Sequence, residues 1–145
     1  MSNHPKVGDA QEPARRVRIL FAEDDEDFRP WLVRCLRRAG YDVAAVSDGE
    51  LAWMELCARE FDLFVTDNNM LGLSGLEVVE RARQSGMGIP VLLISASVDF
   101  AQVHPASGLK NVVLLPKLTP LHLILAAIEE LLRSSGQMPS QNTWR

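Results

Sequence analysis

At 145 residues and 47% hydrophobic content, the chain has the size and apolar share of one globular domain that buries a core without disulfides or a structural metal. A net charge of −4, with both signs spread along the chain, argues against nonspecific nucleic-acid binding, which needs a concentrated basic surface. No apolar run reaches the ~18 residues of a membrane span, and Met1 to Arg16 lacks the apolar core of a signal peptide, so a cytoplasmic protein without a membrane partner is expected.

Residues 1–16 are polar and read as a flexible tail, as do residues 135–145; the stretch between, 17–134, alternates short apolar runs with segments of helical period. Val17 to Ala22 reads as a buried strand. After an acidic turn, Phe28, Trp31, Leu32, Cys35 and Leu36 recur at helical spacing until Gly40 ends them. Tyr41 to Val46 is the second strand, and Asp48 is the N-cap of a helix reaching about Arg59. Cys35 and Cys57 fall in these two helices without metal-ligand spacing and read as buried, reduced thiols. Phe61 to Thr66 is the third strand; Ser74 and Glu77 then form a capping-box pattern that opens a helix ending near Gly86. Pro90 to Ser95 is the fourth strand. Pro105 and Gly108 interrupt any helix between Val98 and Lys110, so a short or irregular element is expected there. Asn111 to Leu115 is the fifth strand, and Thr119 with Pro120 reads as the N-cap and first residue of a last helix running to about Ser134.

The pattern is five strand-helix units. Strands this apolar, separated by helices, imply a parallel sheet covered on both faces, with its functional groups at the carboxyl ends of the strands. Those ends carry Glu23 to Asp27 after the first strand, Asp67 after the third, Ser95 at the fourth and Lys117 after the fifth. Each residue has a plainer reading: an acidic run suits a helix start, a strand-end Asp caps a turn, a lone Lys is solvated. Their conjunction at four strand ends points to phosphoryl transfer instead. Carboxylates gathered from different strands repel one another unless a cation neutralises them, and Mg²⁺, which keeps several waters and takes phosphate oxygens, is the natural candidate.

The stretches Ile19 to Asp25 (ILFAEDD), Asp62 to Asp67 (DLFVTD), Gly72 to Gly75 (GLSG), Pro90 to Ala96 (PVLLISA) and Leu115 to Lys117 (LPK) resemble the receiver domain of bacterial response regulators, of the single-domain type. The resemblance covers about Val17 to Ser134. It implies a flavodoxin-like, doubly wound α/β fold: a five-stranded parallel sheet in the order 2-1-3-4-5 with about five helices. It further implies that Asp67 is the phosphoacceptor. Glu23, Asp24, Asp67 and the backbone carbonyl of Asn69 would then serve the Mg²⁺ site, with Glu23 acting through a metal-bound water. Ser95 would be the switch hydroxyl and Lys117 the basic partner of the acceptor carboxylate and of the phosphate. The implied donor is a sensor histidine kinase or a histidine phosphotransfer protein. The chain would catalyse only its own phosphorylation and dephosphorylation.

Three positions depart from the family pattern. Leu71 and Leu118 stand where Pro is usual, and Leu114 stands where an aromatic residue usually swings inward as the hydroxyl moves. A non-proline cis bond before Leu118 would cost about 3 kcal/mol. These changes, with the interrupted pattern at Val98 to Lys110, suggest an atypical output face built from that segment, the fifth strand and the last helix. That helix carries Leu121, Leu123, Ile124, Leu125, Ile128, Leu131 and Leu132; they read either as core with a scattered exposed Leu or as a partner or homodimer surface. Residues 135–145 are too short for a DNA-binding or catalytic domain, so output is expected through an unidentified downstream protein. The alternative function is a receiver-like interaction module indifferent to phosphate. A phosphatase with an Asp-x-Asp pattern is disfavoured because Asn69 stands at the second carboxylate. His4, His104 and His122 sit in no four-helix context and read as surface or packing residues.

Overall fold

The computed structural model describes residues 15–96 and 109–136. The elements, in chain order, are β1 (Arg18–Ala22), α1 (Phe28–Arg38), β2 (Asp42–Val46), α2 (Gly49–Ala58), β3 (Leu63–Asp67), α3 (Gly75–Gln84), β4 (Val91–Ser95), β5 (Val112–Pro116) and α4 (Leu121–Ser134). The strands form one sheet in the order β2-β1-β3-β4-β5, every neighbouring pair parallel, as the resemblance implies. Four helices lie among the described residues. The place expected for a fifth, Val98 to Lys110, falls outside them except at Leu109 and Lys110, as do His4 and His104.

The central strands are the most apolar because they are covered on both sides. β3 and β4 are buried at every residue and β1 at all but Arg18, whereas the edge strands β2 and β5 are half-exposed. Alternate side chains feed two cores. On one face Ile19, Phe21, Val65, Leu92 and Ile94 pack against Leu32 and Leu36 of α1 and Ile124, Ile128 and Leu132 of α4. On the other, Leu20, Ala22 and Phe64 pack against Ala52 and Leu56 of α2 and Val78 and Val79 of α3. The apolar excess of α4 is largely absorbed: Leu121 and Leu125 pack on the first core, and Leu123, 48% exposed, is left facing outward.

Local signals set the helix starts. Asp48 accepts from the Leu51 amide at 2.8 Å, and Ser74 and Glu77 form both bonds of the capping box. The start of α4 corrects the sequence reading. Pro120 is the N-cap itself, with ψ of 147°, and its carbonyl accepts from the amides of Leu123 and Ile124, while Thr119 donates its amide to Pro116 in the preceding turn. Cys57 also corrects the reading: α2 buries Gly49, Ala52 and Leu56, which turns Cys57 to the exposed side. Every described peptide bond is trans, including the one before Leu118.

Asp62 ties the amino end of the sheet. It accepts from both Arg15 nitrogens at 3.0 Å and from the Arg18 amide at 2.8 Å, and although burial opposes its charge, these donors hold its carboxyl below the usual range. At the opposite end, α3 starts so close to the end of β3 that a Cβ on Gly75 would collide with the Asp67 carbonyl and lie 3.0 Å from both Leu93 and Thr66. Gly75→Ala is therefore expected to destabilise the fold by about 1–3 kcal/mol in urea unfolding. Gly88→Ala, where a Cβ meets nothing within 4 Å, should change stability little, and equal effects of the two would contradict this packing.

Candidate functional site

The register of the sheet assembles the site. Ala22 pairs with Thr66, so the next residues, Glu23 and Asp67, emerge side by side at the carboxyl edge. Asp67 pairs with Ile94 and Ser95 with Pro116, and Lys117 then donates its amide to the Ser95 carbonyl at 2.7 Å. Residues distant in sequence thus meet at one end of three adjacent strands and the edge strand β5.

Glu23, Asp24 and Asp67 each offer a carboxylate oxygen within 4.8 Å of the others. Glu23 and Asp67 are buried and Asp24 is exposed, so the cluster opens to solvent on the Asp24 side. The Lys117 ammonium lies 3.0 Å from Glu23 Oε1 and 3.6 Å from Asp67 Oδ2. Asn69 follows on the loop after β3; its side chain is exposed and its amide donates to Asp67 Oδ1 at 3.1 Å. Ser95 is the last residue of β4 and is buried. The residues singled out in the sequence therefore converge on one edge of the molecule.

Electrostatics make Glu23 the unusual member. Burial pushes its carboxyl up to about 7, against the pull of the Asp25 amide, which donates to Oε2 at 3.0 Å; the charge of Asp67 raises it further and Lys117 lowers it. Its Oε1 is buried without a well-directed hydrogen bond, so the nearby ammonium compensates it by charge rather than by a well-aligned bond. For Lys117, burial alone would lower the ammonium, but Glu23, Asp67 and Asp25 outweigh it and hold it above its ordinary range. Three carboxylates, two of them buried, that share one ammonium among them form a set of hard oxygen atoms suited to a divalent cation such as Mg²⁺.

Several supporting contacts went beyond the sequence reading. Asp25 accepts from the amides of Asp27 and Phe28 at 2.8 and 2.9 Å, and these bonds hold its carboxyl below the usual range. Its bond to the Phe28 amide ties the turn that carries Glu23 and Asp24 to the first residue of α1; an Asp three residues before a helix start was the available signal. Arg29 donates to the Glu23 carbonyl at 2.8 Å and to Glu26 at 2.7 Å, closing the same turn. Asn68, buried next to Asp67, accepts the Leu76 amide on its side chain at 2.9 Å and the Gly75 amide on its carbonyl at 3.2 Å. It fastens the start of α3 to the end of β3. A broad cleft of about 970 Å³, lined by Arg15, Arg59, Phe61, Asp62 and Pro90 among others, lies at the amino end of the strands and touches none of these groups.

An open doubly wound sheet with acid, lysine and hydroxyl groups gathered at its carboxyl edge is the architecture of a receiver. The chain belongs to the response regulator receiver domain family, whose model matches residues 19–129. It is 37% identical over 123 residues to the transcriptional regulatory protein TctD of Salmonella typhimurium, covering 84% of this chain and 55% of that protein. It is 32% identical over 117 residues to the response regulator receiver protein CpdR of Brucella abortus, covering 79% of this chain and 96% of that one. The chain thus spans about half the length of TctD and nearly the whole length of CpdR. Among solved structures, the response regulator TrrA of Thermotoga maritima, in complex with Mg²⁺-BeF, superposes with a TM-score of 0.71 at 24% identity, covering 79% of this chain and 98% of that one.

The raised carboxyl of Glu23 gives a signed pH dependence. With its folded value above its ordinary 4.5, the native state holds a proton that the unfolded chain releases, so stability is fullest below 4.5 and falls as pH rises through about 7. In metal-free protein, the stability of the wild type relative to Glu23→Gln should therefore decline from pH 5 to pH 8 in denaturant titrations. A flat or rising difference would show that Lys117 already satisfies Glu23.

Proposed function

We propose that the chain is a phosphorylation-controlled signalling domain in which Asp67 accepts a phosphoryl group from a histidine kinase or histidine phosphotransfer protein, in a Mg²⁺-dependent reaction. The observation that carries this reading is the meeting of three carboxylates within 4.8 Å with the Lys117 ammonium 3.0 and 3.6 Å from two of them. Glu23, Asp24, Asp67 and the Asn69 carbonyl would hold Mg²⁺, which supplies charge neutralisation for the phosphoryl oxygens when bound.

The chain's own residues account for the remaining chemistry. An Asp67 carboxylate oxygen attacks phosphorus while the P–N bond to the donor histidine breaks, and the imidazole leaves with the electron pair. The Asn69 amide on Asp67 Oδ1 fixes the orientation of the nucleophile. Negative charge developing on the phosphoryl oxygens is met by the Lys117 ammonium and by the Ser95 hydroxyl; the β4-β5 pairing, which sets Ser95 opposite Pro116, keeps the two residues at one end of the sheet. Hydrolysis of the acyl phosphate returns Asp67, so the catalysis is confined to the chain's own modification. The signal then passes by contact with another cytoplasmic protein. That the Thermotoga relative was solved with Mg²⁺-BeF is consistent with this reading.

A second reading, an interaction module indifferent to phosphate, draws on one observation. Leu114 packs with Leu76 and Val112 on Leu93 beneath β5, an aliphatic contact in place of the aromatic residue that the family moves. The two readings separate in intact-mass spectrometry after incubation with Mg²⁺ and acetyl phosphate. The wild type should gain one hydroxylamine-labile phosphoryl group and Asp67→Asn none. A folded wild type that stays unmodified under a cognate kinase as well as under acetyl phosphate would leave the phosphate-indifferent module standing.

A further inference from the structure

Lys117 reaches the acidic cleft from the loop after β5, yet a residue of α1 also holds it there. Phe28, the first residue of that helix, places its ring centroid 4.8 Å from Lys117 Nζ. The same ammonium faces Glu23 and Asp67, and the Lys117 side chain is only 16% exposed. Two carboxylates and an aromatic ring therefore enclose one cation.

The ring is itself fixed. It meets Phe21 edge-on at 6.3 Å and 70°, and Trp31 at 5.6 Å and 40°. Phe21 is fully buried in β1, two residues before Glu23. The Phe28 amide donates to Asp25 Oδ1 at 2.9 Å, so the turn that presents Glu23 and Asp24 also sets the position of the ring. The ring and the acidic pair are thus built as one unit, and Lys117 is the group they share.

We propose that Phe28 is a positioning residue for Lys117, its ring holding the ammonium over the Glu23–Asp67 pair and keeping the side chain from swinging into solvent. The inference rests on the reading of Asp67 as phosphoacceptor. A lysine side chain gains rotamer freedom by leaving such a cleft, and something must oppose that gain. The negative face of an aromatic ring attracts a cation, most strongly where water is excluded. An aliphatic side chain of similar size would exclude water but supply no such attraction. Phe28 touches none of the reacting groups and acts only through Lys117, which separates it from the catalytic residues.

The test compares wild type, Phe28→Leu and Phe28→Tyr in two assays, with each variant's thermal melt followed in parallel. In the first, metal-free protein is reductively methylated and labelling of Lys117 is read by mass spectrometry against the exposed Lys110. In the second, the rate of phosphorylation of Asp67 by acetyl phosphate with Mg²⁺ is measured. Phe28→Leu should label Lys117 about threefold to tenfold faster and slow phosphorylation by a similar factor, with Phe28→Tyr restoring both. Equal labelling in wild type and Phe28→Leu overturns the positioning role, even where Asp67 is phosphorylated in both. Phe28→Tyr behaving like Phe28→Leu also overturns it, because the loss would then come from packing alone. A wild type that accepts no phosphoryl group from acetyl phosphate or from a cognate kinase, whatever the labelling, overturns the phosphoacceptor reading and with it any part for the ring in transfer.

Discussion

The arrangement at the carboxyl edge depends on one contact, the Lys117 ammonium set between Glu23 and Asp67. Three carboxylates brought within 4.8 Å would repel one another strongly in a partly buried site. One cation lowers that repulsion, but burial still raises the Glu23 carboxyl to about 7, and the charge of Asp67 raises it further. The negative charge left over is the condition on which the proposed binding of a divalent metal and the proposed attack on phosphorus both depend.

The remaining structure serves to hold that imbalance in place. Parallel pairing brings Glu23 beside Asp67 and Lys117 past Ser95, so their backbone positions are set by the strand ladders, and the Lys117 side chain then spans the remaining distance to the carboxylates. Asp25 and Arg29 fasten the acidic turn from the α1 side. Asn68 and the absence of a Cβ at Gly75 allow α3 to begin against the end of β3. These groups contribute to the chemistry through geometry alone. Such supporting shells hold a site's groups in productive position.

How much of this the sequence could disclose depends on the range of each interaction. The strands were legible because burial on both faces demands continuous apolar runs, and the caps at Asp48 and Ser74 were legible because their partners lie three residues away. Strand limits were displaced by one or two residues, as at β3, where polar Asp67 completes the strand and Phe61 precedes it. The cap of α4 was misplaced because Thr119 and Pro120 both suit a helix start, and only the bonds of the turn at Pro116 decide between them. The convergence of Glu23, Asp24, Asp67, Ser95 and Lys117 was inferred from strand ends and from family resemblance. The ring of Phe28 against Lys117 and the fork of Arg15 on Asp62 join residues far apart in the chain, and no local pattern announces them.

If Lys117 and a divalent cation compensate the same carboxylates, removing the lysine strengthens metal binding, and calorimetric titration of Mg²⁺ into wild type and Lys117→Met measures that change. One Mg²⁺ site is expected in the wild type, lost in Asp67→Ala, with tighter binding once the competing ammonium is removed. A wild type that binds no Mg²⁺, or a Lys117→Met variant that binds it no more tightly, would show that ammonium and metal do not share these carboxylates.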